Sequence, residues 1–351
     1  MEPDLALLRL VAQRLAGPPL PTPGAAVRRL TCVQAQELPG ALTSLALRTA
    51  ERSRAAVEAA LDAGEVVRSW PMRGTLHLVA AEDLHWLLTL LGSRVLAGAA
   101  QRRAALGLTE AEVEHARGVV TGTLTGGGRA GRRELLAAVA DGGVATTGQR
   151  GYHLLWYLAQ TGTLCLGPTR DGEQLFVLLD EWVPRPRRLD RGAALAELAL
   201  RFFTGHGPAT VADLARWSGL PVRDVRAGLA AVRDRLASLT VDGREHLMAP
   251  ETPHLLAAHG ADARRLRLLP GFDEFVLGYA DRSCAVPPEH AERIVPGRNG
   301  VFRPTVVAGG RVVGTWRWTG TGARRRLDAE PFTAFDDDVA ATLPEVAATL
   351  P

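Results

Sequence analysis

One order of elements recurs three times along this 351-residue chain, and that recurrence constrains the fold more than any single motif. Each time, helical stretches lead into two strand-like stretches joined at a tight turn. The first pass opens with an amphipathic helical stretch from Leu5 to Leu15, followed by a Pro-rich loop (GPPLPTPG, 17–24). Helical patterns follow at about 42–50 and 53–63, with Ser53 as an N-cap and Gly64 as a C-cap. EVVRSWPMRGTLHLV then alternates as strand, turn and strand.

The second pass begins at Thr109, which with Glu112 forms a capping-box pattern over a helix at 109–124. RRELLAAVA (132–140) and GYHLLWYLAQTG (151–162) supply two more helices, and Asp171-Gly172 sits between two strands. The third pass runs through helices at 193–207, 209–217 and 218–236, with Pro221 at the first position of the last. Asp242-Gly243 tips its hairpin. Three helices and a hairpin make a winged-helix unit, and G-x-L-P between two short helices is its turn. The expected fold is therefore α+β: three tandem winged-helix units over 1–108, 109–186 and 187–250. A C-terminal small β-barrel with an acidic helical tail is expected over 251–351, because this region is strand-rich with tight Gly turns.

Composition removes reaction classes. All 41 basic residues are arginines, against 38 acidic residues, for a net charge of +3. Without lysine there is no P-loop of the G-x-x-x-x-G-K-[ST] type and no Schiff-base lysine. The three cysteines (Cys32, Cys165, Cys284) are far apart and odd in number, which points to a reducing compartment and no zinc site. The N-terminus, acidic and then amphipathic, does not read as a signal peptide, and no apolar run reaches the roughly 18 residues of a membrane span. The expectation is a cytoplasmic, nucleoid-associated monomer with no membrane partner, no metal and no cofactor.

Three such units, with arginines on or near their third helices, favour duplex DNA as partner. Arg150 and His153 begin the second unit's third helix, and Arg223 and Arg226 occupy the matching stretch of the third. The N-terminal residues of that helix face the groove in helix-turn-helix proteins. The alternative for each is a solvated face.

The unusual segment is LTCVQAQELPG. In an extended chain Gln34 and Gln36 point the same way, whereas in a helix they diverge by about 200°. Pro39 and Gly40 favour a local break. Two amides do not titrate, so they make no strong general base. They are able to hold a water and set carbonyl oxygens near a developing positive charge. Spacing alone does not choose between this and two surface glutamines.

The chain resembles the AlkZ/YcaQ-like bacterial DNA glycosylases in VQAQ (33–36), WPMRGTLHLV (70–79), YHLLWYLAQTGTL (152–164) and LPGFDEFVLGYADR (269–282). These are winged-helix enzymes with a C-terminal β-barrel. The resemblance implies that Gln34 and Gln36 are catalytic, and the second glutamine sides with the azinomycin-resistance type rather than the aspartate-bearing type. It implies a monofunctional glycosylase that hydrolyses the N-glycosidic bond of N7-alkylguanine adducts, bulky lesions and interstrand cross-links among them. The implied partner is double-stranded DNA carrying alkylated purines, and the implied role is base excision repair and self-resistance to alkylating antibiotics. An N7-alkylated guanine is already cationic and leaves as a neutral molecule, so oriented amides suffice as catalysts. Arg73 and His77 match the family segment and are candidate DNA or site contacts. Arg311, at the tip of the Val306–Val313 hairpin, is a further DNA candidate. Asp273 and Glu274 read as structural partners of arginines such as Arg282, itself a DNA candidate. The competing reading is a non-catalytic winged-helix regulator that binds a palindromic operator as a dimer.

Overall fold

The computed structural model describes residues 4–351. Met1, Glu2 and Pro3, part of the acidic N-terminal start, lie outside the described residues. The chain divides into two compact units. One holds the described residues up to Val57 together with Leu195–Pro351; the other is Glu58–Ala194.

In the 58–194 unit, two hairpins share one antiparallel sheet. Strands Val66–Met72 and Thr75–Ala80 turn at Arg73-Gly74, with φ of 54° and 71°. Strands Leu164–Arg170 and Glu173–Leu178 turn at Asp171-Gly172, with φ of 50° and 81°. Two successive positive φ values match the right-handed twist of a two-residue hairpin. Arg68 stands opposite Leu166, so the hairpins lie side by side in the order 75–80, 66–72, 164–170, 173–178. Helices Glu110–Leu124, Arg132–Asp141 and Arg150–Gln160 send Val113, Leu135, Leu154 and Leu158 into one core with Trp70, Leu166 and Phe176. The capping box at Thr109 forms as the spacing predicts: Glu112 N donates to Thr109 Oγ1 (3.2 Å) and Thr109 N to Glu112 Oε2 (2.9 Å). The 22-residue helix Leu84–Ala105 has no counterpart in the sequence reading. Its second half has no fully buried residue, which leaves little periodicity to read.

In the other unit, helix Leu5–Ala12 is capped by Asp4, whose carboxylate accepts from Leu7 N (3.1 Å). Helix Pro23–Leu30 starts inside the expected Pro-rich loop: Thr22 caps it, and Pro23 suits the first turn because no N–H is needed there. Helices Arg191–His206, Val211–Ser218 and Val222–Ala230 lead into a two-stranded hairpin, Ala237–Val241 with Arg244–Met248. Pro221 is the N-cap of its helix rather than the first helical residue. Asp242-Gly243 forms the hairpin turn at φ 49° and 69°.

The expected C-terminal barrel is corrected to an open sheet. Its strand order is linear: Arg326–Pro331, Arg311–Thr319, Thr305–Ala308, Arg267–Leu269. Four strands, one of only three residues, do not curl far enough to close. The C-terminal helix Asp337–Ala348 covers the apolar face instead, packing Leu343 and Val346 on Leu268, Val306 and Trp316.

A buried ion pair ties this unit together. The Arg48 guanidinium, fully buried, donates to both Asp273 oxygens at 2.9 Å. It also donates to Ser44 O (2.8 Å) and Gln13 Oε1 (2.7 Å). Gln13 Nε2 donates to the Tyr279 hydroxyl (2.9 Å), which donates to His206 O (2.7 Å). Burial opposes ionisation of the Asp273 carboxyl, but the Arg48 charge and the hydrogen bonds from Arg48, Phe275 N and Ser44 outweigh it and hold the carboxyl below its ordinary range.

Removing one partner leaves an uncompensated buried charge, so Arg48→Met is expected to cost about 3–5 kcal/mol in urea unfolding. The depressed Asp273 carboxyl contributes its full stability above its unfolded value of about 3.9 and loses it as pH falls further. The acid limb of the stability curve, measured from pH 5 down to pH 2, should therefore flatten in Asp273→Asn.

Candidate functional site

The Gln-x-Gln segment begins at a strained turn. Thr31, the C-cap of helix Pro23–Leu30, has φ 68° and ψ −55°, and Cys32 N donates to Leu30 O at 2.8 Å. This is the γ-turn form with positive φ, which is rare and costly for a β-branched residue. The Thr31 hydroxyl is buried with no hydrogen-bond partner among the described residues. The turn swings the chain from helix into the two-residue strand Val33–Gln34. Val33 and Ala35 are fully buried, Gln34 is half-buried and Gln36 exposed. The extended backbone thus sends both amides to the outer side. Helix Leu38–Ala46, with Pro39 in its first turn, ends the extended stretch.

Behind Gln34 lies a buried carboxylate. Gln34 N donates to Glu274 Oε1 at 3.3 Å. Trp217 Nε1 donates to Glu274 Oε2 at 2.9 Å, and His206 Nε2 lies 3.3 Å from the same oxygen. Glu274 and His206 are fully buried and Trp217 nearly so. The His206 ring stacks on Phe202 at 4.6 Å. It also sits so close to Gly278 that a Cβ there would come within 2.8 Å of it. The helix carrying His206 also packs tightly on the helix before the motif: a Cβ on Gly205 would overlap the Arg29 carbonyl oxygen.

The adjacent acids therefore divide, Asp273 taking Arg48 and Glu274 taking Trp217, His206 and Gln34 N. The sequence reading treats both as arginine partners and does not single out His206 or Trp217. Nothing local marks these two, because their shared partner lies 68 and 57 residues away in sequence. Arg282 donates through Nε to Val276 O (2.6 Å) and lies over the Phe302 ring at 5.1 Å.

The remaining candidates fall into separate groups. Arg223 is well exposed beside Asp224. Arg226 and Arg311 meet at one cleft of about 1080 Å³, which Arg9, Arg244 and His246 also line, with Asp213, Asp242, Glu245 and Asp281 among its acids. The sequence reading does not name Arg244, which is exposed two residues past the Asp242 turn. In the 58–194 unit, Arg73 forms the hairpin tip at φ 54°. His77 is fully buried, its Nδ1 2.9 Å from Thr75 O. Arg150 ties its helix to neighbouring loops, donating to Ala145 O, Leu106 O and Glu112 Oε1 (2.9, 2.6 and 2.6 Å). His153 is nearly buried 5.3 Å from the Trp156 ring; burial, then the charges of Arg103 and Arg102, lower its pKa. Among the described residues, no group of three or more His, Cys, Asp or Glu is placed to hold a metal ion. No helix among them is long and apolar enough to cross a membrane.

The α+β architecture as a whole matches a known class of repair enzyme. Residues 27–350 match the family described as DNA glycosylase AlkZ-like. The chain is 30% identical over 309 residues to an interstrand DNA cross-link repair glycosylase of Streptomyces sahachiroi, covering 84% of this chain and 82% of that protein. It superposes on the solved structure of Streptomyces sahachiroi DNA glycosylase AlkZ with a TM-score of 0.81 and 27% identity, over 99% of this chain and 95% of the other. The chain belongs to the AlkZ-like family and is a DNA glycosylase.

The turn before the motif offers a direct test of strain. Thr31→Gly relieves a backbone cost of about 1–3 kcal/mol and adds about 0.5–1 kcal/mol of glycine entropy. Thermal unfolding should show Thr31→Gly to be equal to or more stable than the parent. A loss of more than about 1 kcal/mol would mean that the γ-turn carries no strain.

Proposed function

We propose that this glycosylase hydrolyses the N-glycosidic bond of N7-alkylguanine in duplex DNA, bulky adducts and interstrand cross-links included, by water attack at C1′. The observation that carries the reading is the alternation at 33–36, which turns Gln34 and Gln36 outward from a buried backbone. The S. sahachiroi relative, described as a cross-link repair glycosylase, supports the lesion class.

Alkylation at N7 leaves a cationic guanine that departs neutral, so no acid is needed to protonate it. The remaining barrier is the sugar, which becomes oxocarbenium-like. Gln34 and Gln36 hold the attacking water and aim their carbonyl dipoles at the growing positive charge. Such preoriented dipoles are worth roughly 3–4 kcal/mol, or about 100- to 1000-fold in rate. An unmodified guanine leaves as an anion and gains too little from amides alone, which makes the weak pair a specificity device. No lysine exists to attack C1′, so with water as nucleophile, and unless the N-terminal amine intervenes, the product is an abasic site in an unbroken strand.

For DNA contact we take the helices from Arg191 to Ala230 with the hairpin at Ala237–Met248 as a winged-helix unit. Its Val222–Ala230 helix, with Arg223 and Arg226, faces the groove. Arg311 and Arg244 close on the same side through the shared cleft. Arg73, Arg150, His153, His77 and Arg282 are secondary candidates; in the free protein Arg150, His153, His77 and Arg282 have the internal hydrogen-bond or ring partners described above. The enzyme acts as a monomer in the cytoplasm, on lesions in the nucleoid, within base excision repair and in self-protection from alkylating antibiotics.

Single-turnover release of N7-methylguanine from a duplex oligonucleotide tests the site. Gln34→Ala and Gln36→Ala should each slow release by about 100-fold or more with little change in DNA affinity. If neither variant slows release, the site lies elsewhere. Arg226→Ala, Arg244→Ala and Arg311→Ala should instead weaken binding, and each should lower the slope of log K against log [salt] by about 1. An unchanged slope removes that arginine from the phosphate contacts.

A further inference from the structure

We propose that Glu274 is a positioning residue for the reaction, acting through the backbone of Gln34, and that His206 and Trp217 hold it in place. The inference rests on the reading of Gln34 and Gln36 as the reacting amides.

A strand N–H such as that of Gln34 needs only an ordinary acceptor, and a carbonyl or a water would serve. Here the acceptor is a fully buried carboxylate, 240 residues away in sequence. Burying a carboxylate is costly unless donors surround it. Three nitrogens converge on this one: Gln34 N on one oxygen, Trp217 Nε1 and His206 Nε2 on the other. The Trp217 and His206 rings are rigid and packed, with Phe202 against both. Gly278 allows the His206 ring to approach the short helix that carries Glu274. The carboxylate therefore has little freedom to shift, and neither does the N–H it holds.

The point of attachment decides the role. Gln34 follows the γ-turn at Thr31, whose backbone is under strain and would relax if released. A fixed anchor directly after a strained turn sets where the backbone lies at Gln34, and with it where the Gln34 amide points. A placement error of about 1 Å in such groups costs on the order of 100-fold in rate. A carboxylate also accepts on both oxygens at once, which an amide of the same shape does not. Glu274→Gln leaves either the Gln34 N–H or the ring donors facing an NH2 group.

The test uses the whole protein and a duplex oligonucleotide carrying N7-methylguanine. Glu274→Gln is expected to slow single-turnover base release at least tenfold while DNA affinity stays within about twofold. In a Gln34→Ala background the same change should slow release less than threefold further, because its effect runs through Gln34. Trp217→Phe, which keeps the ring but deletes one donor, should give a smaller loss of the same kind and serves if Glu274→Gln does not fold. Wild-type rates in Glu274→Gln, or in Trp217→Phe where it stands in, overturn the inference if Gln34→Ala is slow. So does a Glu274→Gln loss that multiplies fully with that of Gln34→Ala, since a merely structural role would act independently of the amide. A wild-type rate in Gln34→Ala itself would overturn both this inference and the reading of the active site.

Discussion

The buried pair of Arg48 and Asp273 is the constraint on which the 4–57 and 195–351 unit depends. It joins residues 225 apart and brings with it Gln13, Ser44, Tyr279 and, through Tyr279, the end of the helix that carries His206. Burying two ions is expensive, and the cost is offset only where geometry is good and further hydrogen bonds satisfy the atoms around the pair; the buried Arg48 Nε is an exception, with no partner among the described residues. Here the guanidinium meets the carboxylate in a two-bond fork and the carboxylate also accepts from Ser44 and Phe275 N. Once Asp273 is fixed, its neighbour Glu274 is fixed too, facing Trp217, His206 and the strand at Gln34. The chain of consequence thus runs from one ion pair to the backbone beneath the motif.

What the sequence discloses here is whatever is local. The capping box at Thr109, the cap at Ser53 and the Asp-Gly hairpin turns at 171–172 and 242–243 form as their spacing predicts. The alternation across VQAQ, which spacing alone leaves open, is local as well: burial there follows the period of an extended chain. Each of these depends on residues within four positions of one another. What stays hidden is non-local. The pairing of Arg68 with Leu166, which merges two hairpins into one sheet, has no signature in either hairpin. The choice of Arg48 as partner for Asp273 is equally invisible, because dozens of arginines are available. The barrel expectation fails for a related reason: strand-rich sequence reveals strands but not whether a sheet closes, and here a C-terminal helix covers the face that closure would have buried.

The absence of lysine has a structural side as well as a chemical one. Arginine forks onto carboxylates and carbonyls with several donors in one plane, and it stays charged when buried. This fold uses that capacity inside. Arg9 is buried over the Tyr279 ring at 3.6 Å and donates to Pro208 O (3.0 Å). Arg150 ties two loops and the helix Glu110–Leu124 to its own helix, and Arg48 holds the central carboxylate. A count of arginines therefore overstates the charge available to DNA. On the proposed reading, the exposed ones on helix Val222–Ala230, on the hairpin that follows it and at the tip of the C-terminal sheet matter more than the total.

The same division of labour bears on the chemistry. On the proposed reading, the groups that face the sugar are neutral amides, and the strongest acceptor nearby is kept behind the backbone. A carboxylate in front would stabilise the cationic sugar more, and it would also activate water more strongly. That gain would extend to ordinary purines, whose loss is slow mainly because the base departs as an anion. Amides leave most of the driving force to the lesion's own positive charge, so discrimination resides in the leaving group rather than in a tight pocket. Such an arrangement tolerates bulk, since nothing needs to enclose the adduct. It demands accuracy instead: a weak dipole helps only if it is already aimed. A motif bracketed by a strained turn on one side, a proline-started helix on the other and a buried carboxylate beneath is built to supply that accuracy.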